Sequence, residues 1–432
     1  MTPPAALARR GTGRIAWIDV SRGWCMLAIV AGHFYLPWNQ HPALFDLLYA
    51  FHVPAFFFLS GLVFNPGKRS FPRFLYTRVR AIMLPYALWA FISVCIFAVL
   101  GSVAAGSLGR KNPASFTTML KDIMWATPSA HHMDWNKPLW FLPAIMIAYL
   151  IAWATAKLIE GNRIALAVIT VISLLPSWFL ASHQEVWYPW SFERVGVLMP
   201  FFFLGMYMRP IVNHLPIKYP LIEGLDGIGL LAIAAAISHY NTTTVDYVAR
   251  TYGNYANFVA AALVGIAGIC MISRAWNIDD LTRIGKMTLG ILCTHKFIVL
   301  AVQIVINSLG MEELITAMGP IPQFVLDNSL SVGFAWIITA ACFAVCIALK
   351  YLAPWSIGLP GKGIDLRHLV PKEKLLQLAG LRMPSLPSLP RRRKRPQGRR
   401  VQQGPPSRPT RPRRRSGGGK HAASTARGEA GR

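Results

Sequence analysis

The feature that most constrains this chain is a succession of long apolar stretches from which charge has almost vanished. A helix needs about 20 predominantly apolar residues to cross a bilayer. Hydropathy marks about ten such stretches: Ile18–Leu36, Leu47–Phe64, Ile82–Val103, Leu139–Ala156, Ile164–Ala181, Val195–Met208, Leu221–His239, Tyr255–Ser273, Ile284–Ile306 and Leu330–Leu352. In lipid every backbone polar group needs an internal partner, so stretches of this kind are helical. The expected fold class is therefore an all-α integral membrane protein with about ten transmembrane helices. The sixth stretch is short, and the seventh carries Glu223, Asp226 and three glycines in its first half. Composition agrees: 14% of residues are charged, against about 25% in soluble domains.

The Lys/Arg bias of the connecting loops orients the bundle. With the amino terminus inside, the first inner loop holds Lys68, Arg69, Arg73, Arg78 and Arg80. Later inner loops hold Lys157 and Arg163, then Arg209 and Lys218, then Arg274, Arg283 and Lys286. The last outer loop has Glu312, Glu313 and Asp327 and no basic residue, whereas the third-to-fourth loop breaks the rule with Arg110, Lys111, Lys121 and Lys137. An even number of spans returns the chain to the cytoplasm. A multi-pass protein of the inner (plasma) membrane, with both termini cytoplasmic, is expected.

Three regions follow: a basic cytoplasmic amino terminus (1–15), a membrane domain (16–355) and a tail (356–432). The amino terminus leads into an apolar run too long for a signal peptide and without a small-x-small cleavage site, so the first helix is expected to stay. From Lys362 onward there are 20 Lys+Arg against 3 Asp+Glu, which is +17 of the chain's formal +26. Rich in Pro, Gly, Ser and Arg, the tail has little to bury and is expected to be disordered. Lacking stacking aromatics, it suits an anionic lipid surface better than nucleic acid. The six cysteines lie in apolar runs without a CxxC or Cys/His spacing, so neither a disulfide framework nor a zinc site is expected.

The first apolar stretch, "WIDVSRGWCMLAIVAGHF" (17–34), retains Asp19, Arg22 and His33. Charge at the bilayer centre costs at least about 2.5–3.5 kcal/mol, so such groups work or pair. Eleven residues make about three helical turns, which puts Arg22 and His33 within about 20° of one face and ~16 Å apart along the axis. Asp19 can pair with Arg22 at i,i+3. The pattern describes a basic anchor near the cytoplasmic surface and an imidazole deep in the bundle, suited to general-base work; a structural, hydrogen-bonded histidine is the bland alternative.

That string is followed by "FHVPAFFFLSGLVF" (51–64), the basic "NPGKRSFPRFLYTRVRAIMLPY" (65–86) and "KPLWFLPAIM" (137–146). Taken in order, these resemble the acyltransferase family 3 membrane proteins, the type that O-acetylate bacterial cell-surface glycans. The resemblance covers about residues 15 to 355, and in the second half rests on "PFFFLGMYMR" and "TLGILCTHKF". It implies that Arg22 and His33 match the family's catalytic Arg-x10-His, and that an Arg-x-x-Arg before Pro-Tyr holds the acyl-CoA donor. Here Arg78 fits the first position, but Ala81 occupies the second and Arg80 lies one residue early, a turn of about 100° on a helix. Arg73, Arg78 and Arg80 are thus the candidate donor-binding residues. The catalytic candidates are His33, Arg22 and Asp19.

The resemblance also implies a histidine at His295, a further candidate site residue. Its neighbour Lys296 needs a partner if buried, and Glu193 and Glu223 are candidates for that role. His52 is expected to pack structurally at a helix start. In "HHMDWNKPLW" (131–140), His131, His132 and Asp134 suggest a metal site, but adjacent histidines on an extended chain point opposite ways, and no metal is expected. The reading is a membrane O-acyltransferase moving an acyl group, expected to be acetyl, from cytoplasmic acyl-CoA to a hydroxyl of an envelope glycan or similar acceptor. Acetyl-CoA or another acyl-CoA serves as donor substrate, with no permanently bound cofactor. The alternatives are a multi-span transporter or permease and a membrane scaffold. The first half's pattern has no second copy in the second half, against the repeats many transporters carry.

Overall fold

The structure, a computed structural model, describes residues 15–361 apart from 35–43, 66, 68–69, 109–113, 130–131, 186, 213–214, 311–316 and 318–319. Lys68, Arg69, Arg110, Lys111, His131, Glu312, Glu313 and the tail from Lys362 onward lie outside the described residues. So does the second of the chain's two units, Val370–Arg432.

Among the described residues the chain is helical without a strand; an isolated β-bridge joins Asp246 and Thr251. The first half runs α1 (Ala16–His33), α2 (Leu44–Val63), α3 (Phe71–Arg78), a π turn (Val79–Met83), α4 (Leu84–Leu108), α5 (Phe116–Trp125) and α6 (Phe141–Leu158). The second half runs α7 (Arg163–Ile172), α8 (Leu174–Ser182), α9 (Phe192–Val212), α10 (Pro220–His239), α11 (Tyr255–Ala275), α12 (Asp279–Lys286), α13 (Thr288–Ser308) and α14 (Pro320–Leu352). Nine helical segments among the described residues are long and apolar enough to cross a membrane, and together they make a multi-pass membrane protein. α1, which carries Asp19 and Arg22, is helical but is not one of the nine.

Three expected segments differ in detail. The basic stretch before the third span is helical from Phe71, with Pro72 in the first turn, where a missing N–H costs nothing. The short sixth span lengthens at both ends into α9. The expected Ile284–Ile306 helix is broken at Met287 (φ −114°, ψ 12°), which separates short, amphipathic α12 from α13.

α1 and α2 form the centre of the bundle. Fourteen residues of α1 are buried, and 78% of the most apolar stretch of α2 is covered by protein. At the periphery, only 17% of the Arg163–Ser182 stretch and 22% of α10 are covered. Apolar side chains that face outward there, such as Leu175 and Leu221, suit lipid rather than water.

Small residues let the central helices touch through their backbones, as membrane helices commonly do. A Cβ on Gly61 would lie 2.0 Å from the Phe202 carbonyl oxygen, and one on Gly205 2.1 Å from that of Phe58, so α2 and α9 are in main-chain contact. α12 meets α1 in the same way: a Cβ on Gly285 would lie 1.8 Å from the Asp19 carbonyl oxygen. After α14, the short helix Pro354–Ile357 remains packed, with Ser356 and Ile357 buried and the Ser356 carbonyl accepting from Trp89 Nε1 at 2.9 Å. The folded part thus continues past residue 355.

Candidate active site

α1 holds the first elements of the site in one continuous helix, so the expected three-turn spacing of Arg22 and His33 is realised. Asp19 is buried and its Oδ1 lies 3.8 Å from Arg22 Nη1. The contact with Gly285 of α12 fixes the backbone at this pair. Arg22 keeps 23% of its side chain exposed at the end of the bundle where α1 begins.

His33 closes α1 and is only half-buried. Three helices converge there. The His295 ring of α13 lies 5.4 Å from it, centre to centre, and the Tyr49 ring of α2 stands edge-on at 6.3 Å. Tyr49 Oη donates to the Gly32 carbonyl at 3.0 Å and lies 3.5 Å from His33 Nδ1. With its own proton on Gly32, the phenol oxygen offers a lone pair to Nδ1–H, which leaves Nε2 as the basic nitrogen.

His295 is fully buried. Its Nδ1 lies 2.9 Å from the Leu292 and 3.1 Å from the Ile291 carbonyl oxygen. Carbonyls only accept, so this nitrogen carries the hydrogen, and Nε2 holds a lone pair with no hydrogen-bond partner among the described residues. An unsatisfied buried acceptor is costly unless something occupies it.

His52 departs from expectation. It sits eight residues beyond the start of α2, not at a helix start, and its ring stands edge-on to Tyr49 (5.1 Å) and Tyr247 (6.3 Å). A helix carries residues i and i+3 on one face, so Tyr49 and His52 extend the ring cluster away from His33. Tyr49 had no place in the sequence reading; its i−3 spacing from His52 was the available signal.

The candidate donor arginines divide. Arg73 and Arg80 are exposed. The Arg78 guanidinium lies over the Tyr149 ring at 3.9 Å and near the Phe74 ring at 5.6 Å, held by cation–π contact. The 100° displacement expected for Arg80 assumed an α-helix, whereas Val79–Met83 is a π turn, whose wider coil takes a smaller step per residue. Arg80 Nη2 donates to the Gly361 carbonyl at 3.4 Å. Through Gly358, whose Cβ would meet the Ala81 carbonyl, and Gly290, whose Cβ would meet Ile357, this turn joins the start of α13. Connectivity puts Arg22 and the three arginines at one end of the bundle, with His33 and His295 further in.

A family model described as an acyltransferase domain, acyltransferase family 3, matches residues 15–351. The chain belongs to acyltransferase family 3. The protein is thereby an enzyme, a membrane acyltransferase. No match was found among curated proteins or solved structures.

The other end of the acyltransferase is pinned by buried charge. Arg194 is fully buried and pairs with Glu193; its Nε donates to the Tyr247 carbonyl at 2.5 Å, and its Nη2 to those of Pro128 (2.9 Å) and Val248 (3.0 Å). Glu193 also accepts from the Tyr188 N–H at 3.2 Å. Glu193 is therefore engaged here with Arg194, and Glu223 accepts from the Lys218 N–H at 2.9 Å. Buried Arg250 donates to the carbonyls of Gln184 (2.8 Å) and His183 (3.1 Å). Trp187 lies between the two guanidinium groups, 5.2 Å from each. Burial pushes the Tyr252 phenol up to about 12 and that of Tyr247 well above the usual tyrosine value, so both stay neutral near pH 7.

Of the residues weighed and set aside as metal ligands, Asp134 pairs with Lys137 at 2.7 Å, while His132 turns to Asp122 at 2.8 Å.

Proposed function

We propose that the acyltransferase takes its acyl group from cytoplasmic acyl-CoA and delivers it to a hydroxyl of a cell-envelope glycan. The observation that carries this reading is His33. It shares one helix with the Asp19–Arg22 pair, has Tyr49 at Nδ1, and faces a second imidazole, His295, across the bundle. Arg78, with Arg80 and Arg73 beside it, holds the donor's phosphates at the end of the bundle where α1 begins. Arg22, steadied by Asp19, orients the donor, and the extended pantetheine arm reaches the thioester inward to His33.

His33 Nε2 takes the proton of the acceptor hydroxyl as its oxygen attacks the thioester carbonyl. The C–S bond then breaks, and the departing thiolate recovers the proton from the imidazolium, leaving an acyl ester and free CoA. The lone pair of His295 Nε2 accepts a hydrogen bond from a second hydroxyl of the acceptor and so aligns the reacting one. The enzyme lies in the plasma membrane with both termini in the cytoplasm, its basic tail against anionic lipid.

The test follows radiolabelled acetyl from acetyl-CoA into the envelope of cells with and without the chain. Label that needs both the chain and His33 is the expected result. General-base loss alone costs about 10²–10⁴-fold, so His33→Ala, expressed and inserted, leaves no measurable transfer. Full transfer by that variant would overturn the assignment.

A further inference from the structure

A cavity of about 790 Å³ opens beside α5, and its lining shares no residue with the His33 cluster. Such a volume suits a small ligand. Two indoles line it, Trp125 (46% exposed) and Trp187, the latter held between Arg194 and Arg250. Lys121, Ser129 and the His132 side chain, 51% exposed, also line it.

The polar lining is built. Asp122 is buried, and its two oxygens accept from His132 Nδ1 at 2.8 Å and from the Met133 N–H at 3.1 Å. A carboxylate on Nδ1 fixes that nitrogen as the proton carrier and leaves Nε2 as an acceptor on the exposed side of the ring. Thr127 is already committed, donating to the Tyr188 carbonyl at 2.6 Å and accepting from the Ser191 N–H at 3.0 Å. It ties α5 to the Trp187 loop and holds the two indoles in fixed relation. An oriented acceptor and two aromatic side chains suit a ligand that has both C–H faces and hydroxyl edges.

From this geometry, and resting on the reading of a glycan acceptor given above, we propose that the cavity is a holding subsite for a saccharide ring. The ring stacks on Trp125 and donates a hydroxyl to His132 Nε2. Because the cavity and the His33 cluster have no residue in common, the ring held here is not the one acylated. The acceptor accordingly has at least two rings, one gripped beside α5 and one presented to His33. A chain of aromatic contacts, Tyr49–His52–Tyr247–Trp140, runs from His33 to Arg194, which touches Trp187 at the cavity wall.

The test is ligand-observed saturation-transfer NMR on the full-length protein in lipid nanodiscs, with methyl glycosides of glucose, galactose, mannose, rhamnose and glucuronic acid as probes. At least one should receive saturation on its ring protons. Trp125→Ala should weaken that glycoside at least tenfold. His132→Asn, whose amide still reaches Asp122 but which lacks Nε2, should weaken it about fivefold with an unchanged melting temperature. Absence of binding by every glycoside, or binding that survives both substitutions, overturns the subsite. Acetyl transfer by the wild-type protein is measured in parallel. Glycoside binding that needs Trp125, with no His33-dependent transfer, would sink the acyl-donor reading and leave the subsite standing.

Discussion

Gly285→Ala tests whether the meeting of α12 and α1 sets the donor end of the site. The added methyl would sit 1.8 Å from the Asp19 carbonyl oxygen and 2.6 Å from its carbon, where real Cβ contacts essentially never fall below 3.0 Å. Both partners are backbone, so no side chain can swing aside, and α12 must retreat by about 1.2 Å. Overpacking of this kind costs about 1–3 kcal/mol. The displaced atoms belong to Asp19, the partner of Arg22, and a misplacement of about 1 Å can cost about 10²-fold in rate. The control is Gly229→Ala on α10, where a Cβ meets nothing within 4 Å. CoA release from acetyl-CoA and the melting temperature in detergent would be followed for both. Gly285→Ala is expected to lower the melting temperature and slow turnover by one to two orders of magnitude, with Gly229→Ala near wild type. If Gly285→Ala kept both its rate and its melting temperature, α12 would not be what positions the Asp19–Arg22 pair.

Three further outcomes are expected. Tyr49→Phe removes the hydroxyl between Gly32 and His33 Nδ1; at about 1 kcal/mol for one hydrogen bond, kcat should fall roughly fivefold while the KM for acetyl-CoA stays constant. Arg78→Leu keeps bulk beside Tyr149 but removes the cation, so the KM for acetyl-CoA should rise at least tenfold while His33-dependent chemistry persists at saturation. Glu193→Ala leaves Arg194 fully buried without its carboxylate; breaking such a pair costs about 3 kcal/mol or more, visible as a lowered melting temperature in detergent.

Most of the architecture was legible because lipid imposes a simple rule, that long apolar runs must be helical. The Asp19, Arg22 and His33 relation was legible for the same reason, since one regular helix fixes their geometry. What escaped depended on contacts between elements. Tyr49 and His52 read as ordinary members of an apolar helix until their edge-on meeting places them beside His33 and Tyr247. The Asp122–His132 pair joins residues ten apart across a loop whose turns use positive φ at Ala126 and Met133, a conformation that neither residue type announces. The π turn at Val79–Met83 was invisible because periodicity arguments assume 3.6 residues per turn.

The central place of α1 has a consequence for how the protein is made. It leaves the ribosome ahead of the helices it packs against, yet it is poorly suited to rest in lipid alone, since Asp19, Arg22 and His33 all require company. One neighbour, α2, follows after ten residues, but the glycine contact with α12 waits for residue 285. At about 5–20 residues per second that delay amounts to some tens of seconds. During it α1 lacks the cover that α12 and α13 later supply. On the proposed mechanism the site is therefore completed only when α12 and α13 close over a helix made about 250 residues earlier.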